Sequence, residues 1–278
     1  MYYPYFRGKQ FELILLRDNA EFLAKNNICP IIEPVKTNVA PLERAIAKLK
    51  EFNVNFTLII NPKVGDLINQ IQTIIDFAVE NLDEYDNFSL GYIMTEQDTI
   101  DSLIKCINKN PGFSFSIIHY GFTKGKQLAY ESSKLKQIMQ HIFIDGQSGE
   151  LYQSHFNRGK KILIRDGFSI QKNADYPPSE HFSELHLTYS NSKGMQGFGD
   201  FLMVGDDYSE SGGPAYAVAI HLTYLGEDDV MFIYHFKSDR KDSPADPAGK
   251  FLEALKKLIA RLNESKSLLL RTEACKEF

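Results

Sequence analysis

The stretch YYPYFRGKQFELILL, residues 2–16, shows in miniature the pattern on which the predicted fold depends. Its first five residues are aromatic or otherwise uncharged, which predicts a β-strand. Arg7-Gly8-Lys9 interrupts this run, and an apolar stretch with helical spacing begins at Phe11. The sequence therefore predicts a strand, then a turn with two cations around a glycine, then a helix.

Short apolar runs of this kind recur along the chain, and most are separated by a polar turn and an amphipathic stretch. Their cores are continuously apolar rather than alternating, which is typical of parallel strands covered on both faces. The runs are YYPYF (2–6), ICPIIEPV (28–35), FTLIINP (56–62), FSLGYIM (88–94), FSFSIIHY (113–120), HIFIDG (141–146), KILIRDG (161–167) and FLMVGDD (201–207).

Eight such strands alternating with helices predict the α/β class, and in particular one closed (β/α)8 TIM-like barrel. An open doubly wound sheet is the alternative, but no GxGxxG motif opens a helix after the first strand. Asp66 and Asp98 are the expected N-caps of two of the helices. Residues 123–139 are a candidate for a basic helix. We expect a single barrel domain over residues 1–278.

The pattern changes after the eighth predicted strand. PAYAVAIHLTYL (214–225) and DVMFIYHF (229–236) predict a β-hairpin at about 214–237. An amphipathic helix at about 250–264 is expected to close the barrel where an eighth helix belongs. The tetrapeptide HLTY occurs at 186–189 and at 221–224, and its context predicts helix for the first copy and strand for the second.

Composition narrows the class of protein. The chain has 278 residues, 43% of them hydrophobic and 24% charged, which is enough to bury a large core. The net charge of −5 argues against broad nonspecific nucleic-acid binding, although it does not exclude a local basic cleft. Cys29, Cys106 and Cys275 form no metal-ligand or disulfide pattern and are interpreted as reduced thiols. No leader pattern opens the chain and no apolar run approaches the roughly 18 residues of a membrane span, so we expect a cytoplasmic protein without membrane contact.

The ends of the predicted strands indicate where a site lies, because ligands of such barrels bind at the carboxyl ends of the strands. Polar residues follow nearly every apolar run. Arg7 and Lys9 are placed on the rim of this mouth, and Gly8 allows the sharp turn into the first helix. The candidates for anion binding are Arg7, Lys9, Lys36, Lys63 and Arg165. They suit a phosphate or carboxylate, to which arginine offers a planar fork.

The acidic residues at the same ends are candidates for metal binding or acid–base chemistry. Those for a divalent cation, Mg²⁺ or Mn²⁺, are Glu33, Asp145, Asp166 and Asp206, and those for catalysis are Glu33, His119, Asp145 and Asp166. His119 suits either a general base or a hydrogen-bonded structural histidine. A network of internal ion pairs is the structural alternative for the whole set. The segment GDDYSESGG (205–213), with Ser209 and Ser211, is expected to form a flexible loop over the mouth.

The opening stretch, IIEPVK (31–36) and the later run GFGDF…GDDY…AYAVAIHLTY…VMFIYHF resemble a family of bacterial proteins related to the phage beta-protein family. The resemblance spans most of the chain and is most specific at residues 2–15 and 31–36. It implies a barrel-like α/β fold and a shared site at Arg7, Lys9, Glu33 and Pro34, with Asp200 and Asp206 as looser matches. It also implies a setting beside phage-related or defence genes, and it implies no particular activity.

Two functions of different class follow from these features. The first is a metal-assisted hydrolase of a phosphorylated, phosphodiester substrate, in which carboxylates hold the metal and Arg7, Lys36 and Arg165 hold the phosphate. The second is a noncatalytic binding or partner protein of a phage-related or defence module, which binds another protein or a nucleotide. The expected partners are accordingly a small anionic ligand or phosphorylated substrate and a second protein. A metal or phosphate ordered at Glu33, Asp145 and Asp166 favours the first function, and an empty mouth blocked by salt bridges, with a large apolar patch on the hairpin, favours the second.

Overall fold

The fold was analysed on a computed structural model that describes residues 1–192, 194–210 and 212–272. The chain divides into two compact units. The first comprises Met1–Asp166 and Thr188–Leu202, and the second comprises Gly167–Leu187 and the chain from Met203 onward. The single domain over 1–278 stays a prediction. Ser211, Cys275 and the end of the tail lie outside the described residues.

In its described residues, the first unit contains one parallel sheet of eight strands, in the order β1-β2-β3-β4-β5-β6-β7-β9. The strands in chain order are β1 (Tyr5–Phe6), β2 (Ile31–Ile32), β3 (Phe56–Ile59), β4 (Phe88–Met94), β5 (Phe115–His119), β6 (Ile138–Ile144), β7 (Lys160–Arg165), β8 (Ser179–Ser183), β9 (Met195–Asp200), β10 (Ala219–Leu225) and β11 (Met231–Lys237). The sheet follows chain order with a parallel register throughout, as the α/β prediction requires.

The two edges of this sheet meet and nearly close a barrel. A parallel bridge joins Tyr2 to Phe198. The backbone N–H of Tyr3 donates to the carbonyl of Phe198 at 2.8 Å. A Cβ atom at Gly199 would lie only 1.9 Å from the carbonyl oxygen of Tyr3. Glycine at this position therefore lets the last strand approach the first closely enough for hydrogen bonding.

The predicted strand at 201–207 is wrong. The eighth barrel strand is β9, which ends at Asp200, and the residues after it form no strand. Asp200 Oδ1 accepts from the backbone N–H of Leu202 at 2.9 Å, and Leu202 has a left-handed backbone with φ of 55°. Such an Asp turn ends an extended segment. Phe201 enters the barrel core and supplies the apolar signal without belonging to the strand.

Among the described residues, the first unit carries α1 (Gln10–Asp18), α2 (Ala20–Lys25), α3 (Ala40–Glu51), α4 (Ile71–Asn81), α5 (Ile100–Lys109), α6 (Gly125–Ser132) and α7 (Glu150–Ser154), which cover the outside of its parallel sheet. Helix α8 (Leu185–Thr188) spans the sequence boundary between the units, and α9 (Pro247–Leu262) belongs to the second. The apolar stripe of α3 is buried at Leu42, Ala45, Ile46 and Leu49. The basic helix is confirmed only in part, because α6 ends at Ser132.

Two predicted N-caps are wrong. Helix α4 begins at Ile71 after Gln70, so Asp66 lies outside it. Helix α5 is capped by Thr99, whose side chain accepts from the backbone N–H of Ser102 at 3.1 Å. Asp98 Oδ2 instead accepts from the backbone N–H and the hydroxyl of Thr95.

The barrel interior is filled by branched aliphatic side chains. Its core cluster comprises Tyr3, Tyr5, Cys29, Ile31, Ile59, Ile93, Ile118, Ile142, Ile144, Ile162, Ile164 and Phe201. Isoleucines at alternate positions of a strand, such as Ile142 and Ile144, point to the same side of the sheet. The residues that alternate with these isoleucines along the strand, such as His141 and Phe143, consequently face the covering helices.

The second unit is built on an antiparallel sheet in the order β10-β11-β8. The predicted hairpin is confirmed as β10 and β11, which pair in continuous register. Residues 179–183 form strand β8, and the helix that contains most of the first HLTY copy begins at Leu185. The two HLTY copies lie in helix and strand as predicted. Helix α9 packs its apolar face on β10 and β11, and its predicted place as the closing helix of the barrel stays a prediction.

No helix among the described residues is long and apolar enough to cross a membrane.

Candidate functional site

The mouth of the barrel centres on a buried carboxylate. Gly8, with φ of 61°, turns the chain from β1 into α1 and so leaves Arg7 at the strand end. Glu33 follows β2 and is fully buried. Its Oε2 accepts from the hydroxyl of Tyr5 at 2.7 Å and from the guanidinium of Arg7. Its Oε1 accepts from the backbone N–H of Lys63 at 2.8 Å. The ends of β1 and β2 thus bring Arg7 and Glu33 together in an ion pair.

The aromatic rings of the mouth hold the guanidinium from the other side. The Arg7 Cζ atom lies 5.0 Å from the ring centroid of Tyr5 and 5.4 Å from that of Phe201. Cation–π attraction in such a buried position strengthens as water is excluded. Arg7 is only 6% exposed, so it has little surface to offer to a ligand.

Three further cations predicted to bind an anion are paired with carboxylates. Lys36, Lys63 and Arg165 lie 3.7, 2.9 and 2.6 Å from their partners. The partners, in the same order, are Asp66, Asp98 and Asp145. These side chains are partly exposed, so each pair contributes little stability. They nevertheless neutralise the positive charge that an anion would need.

Lys9 acts at the start of α1 through its backbone. Its N–H donates to Glu12 Oε2 at 3.0 Å, and the N–H of Arg7 donates to Glu12 Oε1 at 3.3 Å. Glu12 thus satisfies two N–H groups at the helix start, where donors lack intrahelical partners. Burial raises the pKa of Glu12 despite these bonds.

Asp200 ends the last barrel strand. The prediction missed this strand-end carboxylate because it placed the eighth strand at 201–207. Its Oδ1 accepts from the hydroxyl of Tyr2 at 2.9 Å. Burial, with a smaller contribution from the charge of Asp166, raises the pKa of Asp200, whereas its hydrogen bonds oppose that rise. Asp206, to which the prediction had assigned this place, belongs to the second unit and to no strand.

The carboxylates predicted as metal ligands do not form a suitable set. In the described part of the chain, no three His, Cys, Asp or Glu residues group so as to hold a metal ion. Both oxygens of Glu33 already accept hydrogen bonds in a position without solvent access. Glu33 therefore offers no open oxygen to Mg²⁺ or Mn²⁺, which needs several oxygen ligands. Asp145 is committed to Arg165. A metal at the other carboxylates, Asp145, Asp166 and Asp206, stays a prediction.

His119 contacts a different part of the barrel. It is fully buried, and its ring stacks on Phe143 at a centroid distance of 4.5 Å. Its Nδ1 lies 2.7 Å from the hydroxyl of Tyr152, and its Nε2 lies 3.0 Å from Nδ1 of His141. Burial lowers the pKa of His119 and lowers that of His141 to about 4, so both rings are neutral near pH 7. The sequence indicated His119 but not its partners, which come from β6 and α7.

A second histidine pair lies in the second unit. Nδ1 of His221 is 2.6 Å from Nδ1 of His235, and Nε2 of His235 is 3.1 Å from a carboxylate oxygen of Glu180. The ring of Tyr176 stacks on His235. His235 is buried, and the ring of Phe168 also lies next to it. Burial lowers the pKa of His221 to about 4.

No protein-family model matches the chain, and no curated protein or solved structure gives a match either. Fold and geometry define an α/β protein with a nearly closed barrel of eight parallel strands and an ion-paired mouth.

Proposed function

We propose that this chain is a noncatalytic binding or partner protein built on a TIM-like (β/α)8 barrel. The observation that carries the proposal is the saturation of Glu33 by Tyr5, Arg7 and Lys63. A carboxylate that is buried and already accepts three hydrogen bonds is poorly placed to act as a base or a metal ligand. The barrel mouth then serves to stabilise the fold, and recognition falls to other surfaces.

The metal-assisted hydrolase of a phosphodiester substrate is the competing proposal. It needs carboxylates with open oxygens and cations free to hold a phosphate, and the ion pairs of the mouth supply neither. A cytoplasmic location and a place in a phage-related or defence module complete the binding proposal. Both rest on the sequence alone, the second on the resemblance to the phage beta-protein family.

Thermal unfolding in the presence of metal separates the two proposals. We expect millimolar Mg²⁺ or Mn²⁺ to leave the Tm unchanged, because a metal stabilises only a fold that binds it. We also expect no metal-dependent hydrolysis of bis(p-nitrophenyl) phosphate. The variant Asp145→Asn tests the mouth, and Asp83→Asn, on an exposed turn, is its control. A rise in Tm and metal-dependent turnover that Asp145→Asn removes and Asp83→Asn keeps would establish the hydrolase instead.

A further inference from the structure

A cavity of about 450 Å³ lies beside α6 and α7, at the opposite end of the strands from Arg7 and Glu33. Ile138, the first residue of β6, and Arg158, just before β7, both line it. Its volume lies within the range typical of small-molecule sites. The cavity therefore has the size of a binding site at a place that the mouth residues do not reach.

The charge of this cavity differs from that of the mouth. Lys126 and Arg158 line it, and none of the described residues that line it is acidic. The nearby Glu131 of α6 is paired with Lys134. Within the described residues neither Lys126 nor Arg158 has an ion-pair partner. One N–H of Arg158, at Nη1, donates to the carbonyl of Ser133 at 2.5 Å, which holds the guanidinium at the cavity wall. The remaining donors of its planar fork stay available for an anion.

A buried histidine adds a neutral donor to the cavity. His141 is only 3% exposed and lines the cavity. Its Nδ1 bonds to His119, while its Nε2 has no hydrogen-bond partner among the described residues. This nitrogen is not among the fully buried polar atoms without a partner in the described residues, so solvent reaches it at the cavity wall. It is therefore a contact point that a ligand can take over from water.

The hydrogen-bond chain behind His141 allows two arrangements of its protons. When the partly exposed hydroxyl of Tyr152 donates to Nδ1 of His119, Nε2 of His119 carries a proton and donates to Nδ1 of His141. A neutral imidazole has one N–H, which in His141 is then on Nε2. In the opposite arrangement Nε2 of His141 is an acceptor. An anionic oxygen at the cavity selects the first arrangement, because it needs a donor.

An aromatic ring completes the cavity wall. Tyr130 is 64% exposed and lines the cavity, with Nζ of Lys134 3.9 Å from its ring centroid. Lys134 lies over one face of this ring and is itself paired with Glu131 at 2.8 Å. An exposed aromatic ring is a stacking platform for a nucleobase. We propose that this cavity binds a mononucleotide, with the phosphate held by Arg158, Lys126 and the N–H of His141 and the base stacked on Tyr130. The proposal deepens the proposed binding function by naming a ligand class and a site.

Isothermal titration calorimetry with AMP and with inorganic phosphate tests this proposal. We expect AMP to bind and to bind more tightly than phosphate. Arg158→Ala should weaken both ligands about tenfold or more, since it removes a charge-assisted contact. Tyr130→Ala should weaken AMP alone, and His141→Asn, which keeps a polar group toward His119 but lacks the Nε2 donor, should weaken both. Arg44→Ala removes an exposed cation of α3 and should change neither.

Several outcomes would overturn the inference. Wild-type protein that binds neither AMP nor phosphate at millimolar concentration would remove the site. Equal binding by wild type, Arg158→Ala and Lys126→Ala would place any binding elsewhere, and both of these variants change exposed side chains that the fold does not need. Phosphate that binds as tightly as AMP, with no effect of Tyr130→Ala, would remove the nucleotide assignment. Because these variants leave the mouth intact, failure here is distinguishable from failure of the metal experiment.

Discussion

The guanidinium of Arg7 and the carboxylate of Glu33 form an ion pair between the ends of adjacent strands β1 and β2, and both groups are buried. The pair lies directly above the apolar barrel core, in contact with the rings of Tyr5 and Phe201. Two residues that the sequence marks as site candidates thus satisfy each other. Their burial makes the pair a fixed part of the barrel, and stability measurements can test that role.

Arg7→Ala should lower the free energy of unfolding by about 3–5 kcal/mol, because it leaves a buried carboxylate without its cation. Urea unfolding followed by circular dichroism measures this change. The exposed pair of Lys48 and Glu51 provides the control, and Lys48→Ala should cost less than about 1 kcal/mol.

The double variant Arg7→Ala/Glu33→Ala distinguishes a lost pair from a lost side chain. It should be more stable than Arg7→Ala alone, since no unpaired charge remains in the interior. If Arg7→Ala is as stable as the wild type, the ion pair does not stabilise the fold. Arg7 would then return to the candidates for anion binding.

Gly199→Ala should destabilise the first unit by about 2 kcal/mol or more, because the added methyl group would overlap the carbonyl of Tyr3 where the barrel edges meet. Gly112→Ala is the matched control, since a Cβ atom there meets nothing within 4 Å. Thermal unfolding of both variants measures the difference. Equal Tm values would indicate that the bridge between Tyr2 and Phe198 contributes nothing to stability.

The barrel strands could be predicted from sequence wherever apolar runs coincide with strands, as in FSLGYIM, which is β4 without a change of bounds. The eighth strand could not. Its GFGD segment is rich in glycine, which is unfavourable in a strand unless another backbone approaches closely. That approach, by Tyr3, is a contact between the two ends of the barrel. Local sequence patterns do not reveal such a contact. The apolar residues that begin at Phe201 therefore predict the eighth strand at the wrong place.

The site could be predicted only in part, for a similar reason. The turn at Gly8 and the strand-end rule placed Arg7 and Glu33 correctly. The cavity beside α6 joins residues that are distant in sequence, and its buried histidine occupies an apolar strand without any motif. The lysines of 123–139 were a visible signal, but they indicated a charged helix face rather than the wall of a cavity.

Stability should fall as pH is lowered from 6.5 to 4, and His141 should account for part of the fall. Burial lowers its pKa from 6.5 to about 4 in the fold, so over this range the unfolded chain binds a proton that the folded chain does not. The stabilisation is fully present above pH 6.5 and is lost as pH falls through about 4. The shift corresponds to roughly 3 kcal/mol. Urea unfolding at a series of pH values measures the slope.

The variant His141→Asn isolates this contribution, because asparagine does not titrate. Its stability should depend less steeply on pH than that of the wild type between pH 6.5 and 4, whatever its stability at pH 7. His221 and His235 remain unchanged in both proteins and cancel in the comparison, whereas the bonded pair His119 and His141 is measured together. Parallel slopes would mean that His141 takes up its proton equally in the folded and unfolded states.

Asp200→Asn should leave the fold as stable as the wild type at pH 7, or more stable, although it removes a carboxylate with two hydrogen bonds. The amide oxygen of asparagine can still accept from the hydroxyl of Tyr2 and the N–H of Leu202. Burial raises the pKa of Asp200 in the fold, so the ionised form is disfavoured there. The benefit of the neutral acid is fully present below the pKa of the unfolded chain and is lost as pH rises through the higher pKa of the folded state.

The wild type should therefore lose stability relative to Asp200→Asn as pH rises from 3 to 7, in a series of urea unfolding curves. Asp200→Ala, which loses both hydrogen bonds, should be less stable than either at every pH. If Asp200→Asn proves as unstable as Asp200→Ala at pH 7, the negative charge itself stabilises the strand end, and burial does not dominate the pKa of Asp200.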